Sequence, residues 1–117
     1  MYKLLVSAAV TFVARMSVLD GEKEREFGLR LQAQRLPQGV SFQDALKAKP
    51  VYTDFLADRQ VKLLGWEGAP PPLVDEAGNP APPDDAAWQT LLAQPGAAQA
   101  LVGCYAEAVG LKAKLGN

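Results

Sequence analysis

Two runs of strictly alternating character flank a single Asp20-Gly21 pair in the first third of the chain. Val10, Phe12, Ala14, Met16 and Val18 alternate with Thr11, Val13, Arg15 and Ser17, and Phe27, Leu29, Leu31 and Ala33 alternate with Glu26, Gly28, Arg30, Gln32 and Gln34. A two-residue period belongs to a strand with one buried face. Asp-Gly is a favoured pair for a two-residue hairpin loop. With that pair as the loop, Leu19 faces Glu22, Arg15 faces Glu26, Ala14 faces Phe27, Phe12 faces Leu29 and Val10 faces Leu31. Apolar then meets apolar on one face, whereas a slip of one residue would mix the faces. The tip, Asp20 to Arg25, is charged and is expected to project into solvent. Because such a hairpin is marginal alone, its apolar face needs the rest of the chain or a partner's strand.

The residues after the hairpin read as helices separated by turn formers. Leu36-Pro37-Gln38-Gly39 ends the second strand, and Ser41, with Asp44 three residues on, opens a short helix that Pro50 closes. Tyr52, Phe55, Leu56, Leu63 and Trp66 lie near helical spacing, which predicts a helix from about Tyr52 to Leu64 with Trp66 just past it as a core anchor. Gly65-Trp66-Glu67-Gly68 and Pro70-Pro71-Pro72 forbid its continuation. Asp75-Glu76-Ala77-Gly78-Asn79-Pro80 is dense in turn formers, and Asp84 and Asp85 are N-cap candidates for a helix through Trp88 and Leu92. Pro95 suits the first position of a last helix. That helix carries Ala98, Leu101, Val102, Tyr105 and Val109 on one stripe, is kept slim by its alanines, and ends at Gly110 before a frayed tail. The expected fold is α+β: one domain over residues 1–117, with an N-terminal antiparallel β-hairpin or small sheet in 1–36 packed against three to four α-helices in 41–117, and a Pro-rich loop at about 67–84.

Composition excludes several functions. The chain of 117 residues is half apolar and a fifth charged, which is ordinary for a globular domain able to bury roughly two thirds of its surface. It has no histidine, hence neither the usual general base nor the commonest zinc ligand. The single cysteine, Cys104, can make no internal disulfide and lies among small helix residues, where a packing role is expected. The apolar start, Met1 to Val10, is too short to span a bilayer and runs into strand formers without a signal-peptide cleavage pattern. Met1 to Lys62 holds ten basic and seven acidic residues, whereas Leu63 to Leu111 holds six carboxylates and no Lys or Arg. An acidic second half argues against nucleic acid as a partner. The acids at 75, 76, 84 and 85 fit no calcium loop and read as turn and cap residues. No glycine pattern for nucleotide binding is present. No catalytic residue, cofactor, metal or membrane association is expected.

The order of features carries a resemblance. A charged-tip hairpin, Phe55-Leu56-Ala57-Asp58, Gly65-Trp66-Glu67-Gly68, Leu73 to Pro80, Leu91 to Leu101 and Tyr105-Ala106-Glu107-Ala108 together resemble the tail assembly chaperones of long-tailed bacteriophages and prophages. The likeness is clearest over Phe55 to Ala108. It implies a non-enzymatic protein of the bacterial host cytoplasm that coats the tape-measure protein before the tail tube forms around it, and that is absent from the mature virion. It also implies homo-oligomers, the major tail protein as a further partner, and a longer product made by ribosomal frameshifting.

On this reading an apolar surface binds an extended helical client. The residues singled out for it are Trp66, Leu73, Trp88, Leu101 and Tyr105, with core packing expected of at least half. The charge asymmetry suggests head-to-tail self-association into a ring or spiral, with Arg15, Arg25, Arg30 or Arg35 of one copy against Asp75, Glu76, Asp84 or Asp85 of the next. The alternative is a structural tail component, such as a tail-tube, tail-completion or minor tail protein.

Overall fold

The computed structural model describes residues 2, 5–68, 71 and 73–111. Pro70, Pro72 and the tail beyond Leu111, for which the sequence suggested a loop and fraying, lie outside the described residues. The expected α+β architecture is present. A three-stranded antiparallel sheet is built from β1 (Ala9–Asp20), β2 (Lys23–Gln34) and β3 (Lys62–Glu67), in the order β1-β2-β3. Four helices, α1 (Phe42–Ala48), α2 (Tyr52–Asp58), α3 (Asp85–Leu92) and α4 (Ala97–Val109), complete it.

The hairpin forms, with its register two residues from the expected one. Asp20 pairs with Lys23, so the loop is Gly21-Glu22, and Ala14 faces Leu29, Phe12 faces Leu31 and Met16 faces Phe27. A shift of two keeps every side chain on its face, which is why the alternation survives. Gly21, at φ 66°, takes the first loop position, where a primed turn wants glycine. Arg15 consequently faces Gly28, and Glu26 faces Ser17 instead of Arg15.

The predicted helix from Tyr52 to Leu64 is half that length. After Asp58 the chain turns through Gln60, whose φ of 53° is incompatible with helix, and residues 62–67 become β3. Leu63 pairs with Leu31 and Trp66 with Leu29, with Leu64 as an extra residue between them, so β3 adds two apolar side chains to the covered face of the sheet. Trp66 is therefore a strand residue.

The caps read from the sequence are in place: the Ser41 hydroxyl accepts from the Asp44 N–H at 3.1 Å, and Asp84 Oδ1 accepts from the Ala87 N–H at 2.8 Å. Pro95 stands outside α4. It occupies a turn closed by the Ala97 N–H donating to the Gln94 carbonyl, and Gly96, at φ 80°, is the N-cap. The core lies between one face of the sheet and the helices, where Ala14, Leu29, Leu31 and Ala33 meet Phe55, Leu56, Leu101, Val102 and Tyr105.

Candidate interaction surface

The side chains with chemical potential are few and quiet. Burial, with the Glu107 carboxylate nearby, raises the pKa of the Cys104 thiol against the opposing influence of the Arg15 backbone, so at neutral pH it is a thiol and a poor nucleophile. Burial likewise raises the Tyr105 phenol, whose hydroxyl donates to the Gln34 carbonyl. Among the described residues no cluster of His, Cys, Asp and Glu could hold a metal, and no helix is long and apolar enough to cross a membrane.

The five apolar residues singled out above separate into two groups. Trp88, Leu101 and Tyr105 are buried in the core, so as the domain stands they are not available to a partner. Helical spacing placed them on inward stripes, and burial is what a large apolar side chain on such a stripe ordinarily finds. Trp66 is half-buried and donates from Nε1 to the Ala81 carbonyl at 2.9 Å, fastening the segment after the Pro-rich loop to β3. Leu73 is half-buried and alone among the five opens onto a groove beside the hairpin.

Most of the charges named for self-association have work inside the chain. Arg25 pairs with Asp20 at 3.4 Å, Arg30 with Glu67, and Arg35 Nε donates to the Ser7 carbonyl at 2.8 Å. Asp75 Oδ1 accepts from the backbone N–H groups of Ala77 and Asn79, and Asp84 caps α3. Arg15, Glu76 and Asp85 have no such bond among the described residues and are exposed.

An apolar groove runs beside the hairpin arm. Its volume is about 730 Å³. One wall is the covered face of the hairpin arm beyond β3, with Met16, Val18 and Phe27; the other is the corner where α3 meets α4, with Leu91, Pro95 and Ala97, and Leu73 closes one side. The groove exists because the strands are twelve residues long while β3 accompanies β2 only over Gly28–Gln32. Past that point helices no longer fully cover the arm, leaving Val18 at 42% exposure, while Leu19 on the helix-free face is 74% exposed. Sequence reasoning missed this site. Its signal was the adjacent apolar pair Val18-Leu19 immediately before the charged tip Asp20 to Arg25.

The fold and its surface thus define a small α+β domain with a projecting hairpin and an apolar groove at its base. The chain matches no family model, no curated protein and no solved structure in the comparisons made.

Proposed function

We propose that this protein is a non-enzymatic tail assembly chaperone of the long-tailed phage type, which holds the helical tape-measure protein in the host cytoplasm until the tail tube forms. The observation that supports this reading is the groove between the hairpin arm and the α3–α4 corner. A helix about 10 Å across fills roughly 400–600 Å³ per turn, so a groove of this volume takes one face of about three turns. Apolar lining by Met16, Val18, Phe27, Leu73 and Leu91, together with the charged Arg15, Asp20 and Arg25, suits an amphipathic client helix with both an apolar stripe and charges. The ordered sequence features from Phe55 to Ala108 support the family reading, and the groove supports a helical client.

Co-expression with a tape-measure protein from the same genome tests this. The client is expected in the soluble fraction only when this chain is present, and a client equally soluble without it ends the proposal. The hairpin of two twelve-residue strands favours one competing reading, a structural tail component whose hairpin joins neighbouring subunits. Mass spectrometry of purified particles separates the two. A chaperone is absent from them and a structural subunit is present in many copies.

A further inference from the structure

We infer that the free edge of β1 is a self-pairing site, at which two copies join β1 to β1 antiparallel about a twofold axis at Ala14 to make one six-stranded sheet.

The direction of the backbone groups follows from the hairpin's phase. Asp20 and Lys23 close the loop, and the Arg35 N–H donates to the Ala8 carbonyl at 2.8 Å. Even-numbered residues of β1 therefore aim N–H and C=O at β2, and Ala9, Thr11, Val13, Arg15, Ser17 and Leu19 aim theirs away from it. Among the described residues no strand pairs with these six. Natural edges of this length are ordinarily blunted by proline, charged side chains, a bulge, brevity or a covering helix, and of these β1 has only the charges of Arg15 and Asp20 and the approach of α4 at Cys104. The opposite edge, β3, has six residues, a bulge and Lys62, whereas β1 has twelve residues and neither proline, lysine nor bulge.

The occupant is argued from complementarity. Two identical antiparallel strands side by side are related by an axis perpendicular to the sheet, which keeps the helices of both copies on one face and sets like face against like face. An axis at Arg15 would place that guanidinium against its own copy. An axis at Val13 leaves Leu19 unpaired. The axis at Ala14 engages all six outward residues, with Val13 beside the second copy's Arg15, Thr11 beside Ser17 and Ala9 beside the exposed Leu19. On the covered face Phe12 meets Met16 and Val10 meets Val18, apolar pairs of half-buried or exposed residues, with the smallest side chain on the axis. The pairing lays the second copy's Val10 and Phe12 alongside Val18 and Met16, extending the groove wall. At Arg15 the edge is not bare: the Cys104 thiol of α4 lies by the Arg15 N–H, so pairing there requires the second copy's Val13 carbonyl to displace the thiol. The inference concerns the protein alone and does not rest on the chaperone reading.

Sedimentation of the purified chain, with paired charge variants, is the test. Val13 is exposed on the helix-free face and opposite Arg15 only in the dimer. Val13→Glu is expected to tighten the dimer and Val13→Lys to weaken it, each roughly two- to thirty-fold because symmetry counts the pair twice. Amide exchange measured at low and high micromolar concentration should show protection rising with concentration at Thr11, Val13, Arg15, Ser17 and Leu19, while the even-numbered amides change little. Far-UV circular dichroism of both variants should match the unmodified chain. A monomer at high micromolar concentration, equal dimerisation by the two variants, or concentration-dependent protection confined to the helices would each overturn the inference.

Discussion

The hydroxyl of Tyr105 donates a 2.7 Å hydrogen bond to the carbonyl of Gln34, joining α4 to the last residue of β2 across 71 positions of sequence. The Tyr105 ring stands edge-on to Phe55 at 5.5 Å between centroids, and Phe55 stands edge-on to Phe42 at 5.7 Å. One buried tyrosine thus ties the last helix to the sheet and, through two aromatic contacts, to α2 and α1. Tyr105→Phe keeps the rings and leaves the Gln34 carbonyl without this donor, so it is expected to cost about 1–2 kcal/mol. Tyr105→Ala adds a cavity and should cost about 3–5 kcal/mol. Urea unfolding followed by tryptophan fluorescence measures both.

The same residue gives a pH dependence. Burial holds the Tyr105 phenol above its ordinary pKa in the folded state, so the folded protein keeps a proton that the unfolded chain releases above about pH 10. Its contribution is fully present below that value and declines as pH rises through the interval up to the folded pKa. The Cys104 thiol, also raised by burial, adds a decline beginning above about pH 8.5. Urea midpoints should therefore fall between about pH 9 and pH 11. The Tyr105→Phe protein should show a shallower fall above about pH 10.

Two glycines should respond oppositely to alanine. A Cβ on Gly28 would stand 2.7 Å from the Glu67 carbonyl oxygen and 3.0 Å from its Cβ, forcing β3 away from β2 beside the Arg30–Glu67 ion pair. Gly28→Ala should destabilise by about 1–3 kcal/mol. Gly103 lies exposed in α4 with nothing within 4 Å of such a Cβ, and Gly103→Ala should stabilise by about 0.5–1 kcal/mol through helix propensity. Thermal melts of the two variants check the signs.

The cap of α3 predicts a graded series. Asp84→Ala removes the acceptor for the Ala87 N–H and should cost about 1 kcal/mol, while Asp84→Asn keeps an oxygen there and should cost a few tenths. Equal losses in the two variants would assign the effect to charge and not to the hydrogen bond.

Salt distinguishes the two modes of self-association. Raising it from about 0.1 to about 1 M shortens the screening length from about 10 to about 3 Å, which would dissolve contacts between exposed charges such as Arg15, Glu76 and Asp85. A dimer made by backbone hydrogen bonds along β1 should persist. Sedimentation at the two salt concentrations reads the difference.

The parts of the fold legible in the sequence are those whose signal is local. The hairpin's two-residue period and the Ser41 and Asp84 caps depend on neighbouring residues and were read from them. The loop phase was not, because Asp20-Gly21 and Gly21-Glu22 both satisfy a tight turn and both keep the faces matched. The third strand was hidden by its bulge: with Leu64 extra, the inward residues Leu63 and Trp66 stand three apart, a helical spacing. Large apolar residues on helical stripes gave Trp88, Leu101 and Tyr105 as binding candidates because core and interface use the same side chains. The groove was illegible for a different reason. Its walls come from β1, β2, the segment after the Pro-rich loop and the α3–α4 corner, which only the tertiary fold brings together.

Binding of a purified amphipathic segment of the tape-measure protein, measured by titration calorimetry against the unmodified chain and against Leu73→Asp and Val18→Asp variants, tests the chaperone reading most directly. Val18 is 42% exposed and Leu73 is partly exposed, so both substitutions place a carboxylate in the groove at side chains outside the buried core, and circular dichroism checks that the fold survives. The account predicts binding by the unmodified chain and at least about tenfold weaker binding by each variant, since a desolvated charge opposite an apolar stripe costs more than about 1.4 kcal/mol. No binding by the unmodified chain, or equal binding by all three, would contradict it.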